Sequence, residues 1–460
     1  MTLPNAENPI ARFFQFARHH TNGSTEILAG VTTFMTMGYI LAVNPDILSN
    51  GIFLEQPGDL FVELSISTAL SAAIATLFMG IVAKYPFALA PGMGLNAFFA
   101  FSVVLGMEID WRVALAAVFI EGLIFIAITW ANLRHWIISA IPGCLRAATA
   151  TGIGLFLAYI ALSRPPEVGG AGIIVANPTT LTKLGDFSQP ETLLAVVGIL
   201  LTVALVARRV TGALLWGIMA TAVLAWILGI APAPTQIFAW PELPKDLWGQ
   251  AFVGLGQLGT VPRTEFLSVL FALLFVDLFD TVGTLAGVSV QAGYLDDRGE
   301  LPRANRAFMA DAVGTTLGAV LGTSTVTTYI ESAAGVATGG RTGFASVVTA
   351  GLFALSVFFV PVLVAIPAFA TAPALLVVGV LMAGNVRSIR WDDPAESIPA
   401  FLTILVMPLS FSIADGLAVG FISYPLVKAF QGKVRETSVA SWVLAAAFIL
   451  KFTIDATGTS

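Results

Sequence analysis

Cysteine is almost missing from this sequence. Cys144 is the single one among 460 residues, so no intrachain disulfide can form and a thiolate metal site is not expected. Histidine is nearly as scarce: His19, His20 and His135 are the whole set, and all three lie outside the long apolar runs. Any proton handled within those runs must therefore ride on carboxylates. Charge is short as well. Only 11% of residues are charged, against roughly 25% in soluble domains, while 57% are hydrophobic and the mean hydropathy is +0.88. This balance excludes a soluble binding module, and no nucleic-acid partner is expected. No phosphate loop, nucleophile elbow or metal-ligand spacing is present, so neither an ATP-driven pump nor a hydrolase is supported, and no cofactor is expected. The opening residues, MTLPNAENPIARFFQFARHH, lack an apolar core with a cleavage site, so the N-terminus is expected to stay in the cytoplasm.

What the chain has in abundance is apolar runs close to the roughly 20 residues that a spanning helix needs. They fall at 25–44, 62–83, 88–106, 112–131, 140–162, 190–208 and 212–230, then at 265–289, 306–322, 323–338, 343–360, 373–388, 397–412 and 415–430. The expected fold is an all-α integral membrane protein with fourteen transmembrane segments, because helices satisfy their own backbone in lipid. Residues 1–24 form a cytoplasmic N-terminus, 25–230 a first repeat, 231–264 an extracytoplasmic linker, 265–430 a second repeat and 431–460 a cytoplasmic tail. Of the lysines and arginines, only Arg112, Arg164, Lys183, Lys245 and Arg263 fall on outside segments. The rest, Lys451 in the tail apart, fall inside, as the positive-inside rule requires. Seven spans per half invert one half against the other, and TEILAGVTTF at residue 25 is echoed by TEFLSVLFAL at residue 264. Inverted repeats of this kind build secondary transporters with a midplane site. The tail 437–455, which carries Lys451 and Asp455, reads as an interfacial helix.

Polar residues inside the spans define the site. FVDLFDTVGTLAGV, 275–288, places Asp277 and Asp280 three residues apart on one helix face, with Thr281 and Thr284 extending it. A carboxylate at mid-bilayer costs roughly 2.5–3.5 kcal/mol on insertion scales, so two on one face point to a functional site. Two spans are interrupted at matching places. In YPFALAPGMGLNAFFAFSVV, Pro86 and Pro91 exclude one continuous helix, which predicts an extended piece at 87–90 and a half-helix from about Gly92, with Asn96 just past its first turn. In TSTVTTYIESAAGVATGG, the β-branched run Thr323–Thr328 predicts a strand, and IESAAGVA a short helix.

Glu331 has two readings. As part of Thr328-x-x-Glu331 it could close a capping box on its own helix, or it could face the two aspartates across the membrane centre; its depth favours the second. Asn96 is equally a ligand or a tie between helices. Glu121, in the middle of the fourth span, is a candidate proton site. Asp311 is expected near the cytoplasmic start of its span beside Arg306, and Asp415 at an interface. Gly283-x-x-x-Gly287 reads as a packing device.

Together these pieces, with TEILAGVTTFMTMGYILAVNP and GTSTVTTYIESAAGVATGGRTG, closely resemble the nucleobase–cation symporter-2 family, in its AzgA-like purine permease branch, from about residue 12 to 430. The resemblance implies a seven-plus-seven inverted repeat. A core domain would take spans one to four and eight to eleven, and a gate domain would take the rest and often mediate dimerisation. Short antiparallel strands would sit in spans three and ten. It also implies purine contacts from Asp277, Glu331 and Asn96, with Asp280 supporting transport. Uracil and xanthine relatives usually carry glutamate where Asp277 stands, so the aspartate favours adenine, guanine or hypoxanthine.

The expected activity is proton-coupled uptake of a purine base across the cell membrane. The backbone N–H groups near Tyr329 and Ile330 would help hold the base. Phe98 or Phe99 would serve as an apolar wall or as core. Asp280, Glu331 and Glu121 are the candidates for proton coupling. The rival readings are a xanthine or uracil permease, an anion carrier of the same fold, and a channel.

Overall fold

A computed structural model describes residues 9–132, 142–295 and 301–457; Arg134, His135 and Arg298 lie outside the described residues. The apolar runs fold as helices. Among the described residues, nine are long and apolar enough to cross a membrane, the longest being Arg263–Ala292, and shorter apolar helices such as Met93–Gly106, Ala213–Ile227 and Pro394–Ser410 pack among them. The chain is thus a multi-pass membrane protein.

The first long segment is bent in a way its sequence explains. Helix Gly23–Met37 gives way to Ile40–Leu48. Pro45 lies inside the second piece, where its ring crowds the carbonyl four residues back. The backbone tightens just before it, with Leu41 N–H donating to Gly38 O at 3.2 Å and Ala42 N–H to Tyr39 O at 3.1 Å. This step turns Tyr39 toward the centre of the bundle.

The two interrupted segments form the strands expected of them. β1 (Leu89–Pro91) pairs antiparallel with a strand near residue 326, and between them in sequence lies a hairpin of β2 (Ile174–Asn177) and β3 (Leu181–Leu184), which the sequence reading did not anticipate. The partner of β1 is β4 (Val326–Thr328), in the register Leu89↔Thr328, Ala90↔Thr327, Pro91↔Val326. Gly92 N–H donates to Thr325 O at 2.9 Å and Tyr329 N–H to Ala88 O at 3.0 Å, which extends the ladder at both ends. Pro91 thereby sits at a non-hydrogen-bonded pair, where its missing N–H costs nothing.

A two-stranded ribbon this short is marginal alone. Hydroxyls from neighbouring helices satisfy its outer edges. Leu89 N–H donates to Thr76 Oγ1 at 2.9 Å, and that hydroxyl donates to Leu89 O at 2.9 Å. Ala88 N–H donates to Ser332 Oγ at 2.9 Å. Irregular backbone survives at membrane depth only with such partners. Each strand then opens a helix, Met93–Ala97 after β1 and Ser332–Ala337 after β4.

Close helix contacts bring distant carboxylates together. Helix Trp111–Trp130 meets helix Ala304–Val320 at Gly122, where a Cβ would lie 2.8 Å from the backbone nitrogen of Thr316. On the other side of Ala304–Val320, a Cβ on Gly318 would lie 2.8 Å from Val326 Cγ2 of β4. The two glycines let a helix, a helix and a strand stack at backbone distance, with Glu121, Asp311 and β4 in successive layers.

The tail forms a helix, as expected. Residues 439–457 form a helix about 28 Å long, the length of a crossing. One face packs against Ile413–Phe430, where Phe448 stacks on Phe421 with ring centroids 6.0 Å apart and Lys451 pairs with Asp415 at 3.7 Å, while Val439, Val443 and Leu450 on the other face are exposed. The ion pair between them is what allows Lys451 and Asp415, which read as interfacial in the sequence, to sit against a helix of the bundle.

Candidate functional site

Two groups of polar side chains converge where β1 and β4 meet. The more open one consists of Tyr39, Asp280, Tyr329 and Glu331. Tyr39 Oη donates to Glu331 Oε1 at 2.8 Å, and Tyr329 Oη donates to Pro91 O at 2.5 Å. Asp280 lies beside Thr327 and within the electrostatic reach of Glu331, and both tyrosines neighbour the same two carboxyls. Asp280 and Glu331 are only partly covered, and Ile330 next to them is exposed. These four residues come from three separate parts of the chain: the bend of the first segment, the middle of Arg263–Ala292, and the turn between β4 and its short helix.

Behind them lies a sealed group. Glu121, Asp277 and Asp311 are all fully buried, with threonines of β4 and the adjoining helices threaded among them. Thr325 Oγ1 donates to Glu121 Oε2 at 2.9 Å, and Thr328 Oγ1 donates to Asp311 Oδ1 at 2.9 Å. Thr281 Oγ1 donates to Asp311 Oδ2 at 2.5 Å and lies 3.0 Å from Thr327 Oγ1. Thr315 Oγ1 is 2.8 Å from Val326 O and 3.3 Å from Asp277 Oδ2. No lysine, arginine or histidine makes an ion pair with any of these acids among the described residues.

A third network is made of amides. Asn96 Nδ2 donates to Asn44 Oδ1, and Ser324 Oγ donates to Asn96 Oδ1. Asn44 Nδ2 in turn donates to Thr68 Oγ1 at 2.7 Å and reaches Thr323 Oγ1 at 3.2 Å. The network ties β1's helix to the segment that leads into β4.

This geometry sorts the candidate residues differently from the sequence. Asp277 was expected opposite Glu331 and Asn96; its neighbours are instead Glu121, Asp311 and Thr315, and Asp280 is the aspartate beside Glu331. The reason is the helix itself. Three residues turn through about 300°, so the two side chains diverge by about 60° and separate along the axis, enough to put them in different layers. Asn96 has both ends of its amide engaged. The N–H of Tyr329 is given to Ala88 O, so it is not free for a bound molecule. Phe98 and Phe99 are buried in the core.

Glu331 does not close a capping box. Its side chain makes no cap bond and turns to Tyr39, while the hydroxyl of Thr328 goes to Asp311. Asp311 is not paired with Arg306 in any described contact; it belongs to the sealed group. Tyr39 and Asp311 are the two residues that sequence reasoning missed. The only local signals were a glycine before Tyr39 and the spacing of Asp311 from Gly314 and Gly318. No group of three or more acidic, histidine or cysteine residues among the described ones has the geometry to hold a metal ion.

The arrangement matches known proteins across its length. A permease family profile fits residues 24–419. A permease of Methanocaldococcus jannaschii is 52% identical over 96% of this chain and 98% of its own. The guanine/hypoxanthine permease PbuG of Bacillus subtilis is 45% identical, covering 96% of this chain and 98% of that one. The adenine permease AdeP of Escherichia coli is 40% identical, covering 99% and 98%. Among solved structures, the transmembrane domain of the cyanobacterial bicarbonate transporter BicA superposes with a TM-score of 0.60 at 15% identity, covering 86% of this chain and 97% of that one, which is a likeness of fold.

Proposed function

Because the chain belongs to this permease family, the nucleobase–cation symporter-2 family, we propose that it takes up purine nucleobases (adenine, guanine and hypoxanthine) by proton-coupled symport. The observation that carries the reading is the placement of Asp280 and Glu331, with Tyr39 and Tyr329, at the point where two broken segments meet. A purine is flat and neutral, with N–H donors along its edges. Two carboxyl groups that no described basic side chain pairs with offer acceptors for those donors, and the Tyr39 hydroxyl holds Glu331 in place. The same acids repel a free anion, which argues against an anion carrier despite the likeness of fold.

In this reading fourteen segments form two inverted repeats, 25–230 and 265–430, with the N-terminus in the cytoplasm and 231–264 outside. Spans one to four and eight to eleven make a core that rocks against a gate of the remaining spans, and the gate serves for dimerisation. Ties cross between core and gate at the outer end, where Ser102 Oγ donates to Phe411 O and Asp46 holds a second contact. Asp46, near the end of the first segment, accepts from Arg164 Nη1 at 2.6 Å and from Thr371 Oγ1 at 2.7 Å. Asp46 is almost wholly buried, whereas Asp280 and Glu331 are only partly covered.

The test is a competition panel in proteoliposomes. Labelled hypoxanthine uptake should saturate and be inhibited by adenine and guanine much more strongly than by xanthine or uracil. Linear flux without competition would indicate a channel, and inhibition led by uracil or xanthine would move the specificity to the other branch.

A further inference from the structure

We propose that Glu121 and Asp277 form a single proton-sharing carboxyl pair, sealed behind the ligand-facing acids, and that this pair carries the coupling proton. The inference rests on the transport reading above and adds the site of its driving ion.

The pair has fewer hydrogens around it than its oxygens need. Glu121 and Asp277 are fully buried, on two different helices, and within hydrogen-bonding reach of each other. Their four oxygens have few donors. Thr325 gives its hydrogen to Glu121 Oε2 at 2.9 Å, and Glu121 Oε1 and Asp277 Oδ1 receive none from the protein. Thr315 has one hydroxyl hydrogen. At 2.8 Å it is committed to Val326 O, a strand carbonyl that points away from β1 and has no other described partner, and Asp277 Oδ2 at 3.3 Å is left with at best a shared contact.

Two carboxyls can bond to each other only with a hydrogen between them, because an ionised carboxylate accepts and does not donate. With a proton on Asp277, its O–H donates to Glu121, and the pair carries one negative charge where it would otherwise carry two. The groups facing the pair are Asp311 on Ala304–Val320 and Asp280 one turn along Arg263–Ala292, both acids, and no base among the described residues supplies the missing hydrogen. Asp311 differs. It takes hydroxyl hydrogens from Thr281 and Thr328 and so has its own donors.

The position suits coupling. Asp277 is one helical turn from Asp280, and Thr327 touches both Asp280 and Thr281, whose hydroxyl reaches Asp311. A base that hydrogen-bonds Asp280 changes the field at Asp277, which faces Asp280 directly and faces Asp311 at the end of this hydroxyl chain. The proton enters from the outer side and leaves to the cytoplasm; Asp277 and Glu121 gain and lose it, and no bond in the base is made or broken.

Glu121→Gln keeps the shape and the acceptor for Thr325 but cannot share a proton in this way. In proteoliposomes it should lose accumulation of labelled hypoxanthine driven by an inward proton gradient, yet retain exchange of labelled for unlabelled base. Asp277→Asn should do the same. Infrared spectra of the purified full-length protein at neutral pH should show the carbonyl stretch of a protonated carboxyl, shifted in Glu121→Gln and removed in Asp277→Asn. Gradient-driven accumulation by Glu121→Gln, equal loss of exchange and accumulation, accumulation driven by a sodium gradient, or no such band in the parent would each overturn the proposal. Exchange by the parent tests the transport reading alone, and the spectrum reads the pair whatever the substrate is.

Discussion

Asp280→Ala and Glu331→Ala are each expected to cut hypoxanthine uptake steeply, Asp280→Ala with the melting temperature nearly kept and Glu331→Ala with a modest fall, because the buried Tyr39 hydroxyl loses its acceptor. Both side chains are only partly covered, so their loss leaves no cavity of the kind that unfolds a core. Their value lies in the bonds they offer a base. A hydrogen bond to a charged partner contributes about 1.5–3 kcal/mol, which lowers affinity by roughly 10- to 150-fold when removed. Glu331→Gln separates charge from shape: it keeps an oxygen for the Tyr39 hydroxyl, so a loss of uptake there is electrostatic in origin. Affinity for hypoxanthine unchanged in both alanine variants would place the site elsewhere.

The second large effect has the opposite signature. Asn96→Ala should lower the melting temperature markedly and leave the affinity of the folded fraction close to that of the parent. The amide accepts from Ser324 and donates to Asn44, and every member of that network is fully buried. Truncation strands two polar groups at about 1–3 kcal/mol each, so several kcal/mol are at stake. A normal melting temperature with lost binding would make Asn96 a ligand and not a tie.

Much of this architecture could be read from the chain. Pro86 and Pro91 marked the break in the third apolar run, and the threonines from Thr323 marked the break in its counterpart, because proline and β-branching act through local backbone chemistry. The two segments pair as strands within three residues of where they were expected. Which acids meet which partners was not local. Tyr39 and Glu331 are 292 positions apart, and Thr325 and Glu121 are 204 apart. Helical spacing placed Asp277 and Asp280 on one face but could not resolve the 60° that sends them to different neighbours. Asp311 sat among residues that suggested a surface pair with Arg306, and only the close crossings at Gly122 and Gly318 carry it into the centre.

The most direct test of the central claim is uptake of labelled hypoxanthine by the reconstituted full-length protein, with and without an inward proton gradient at matched membrane potential. The account predicts accumulation above equilibrium that needs the gradient and disappears when a protonophore collapses it. Uptake that reaches only equilibrium whatever the gradient would contradict proton symport, and no hypoxanthine uptake at all would contradict the purine carrier itself.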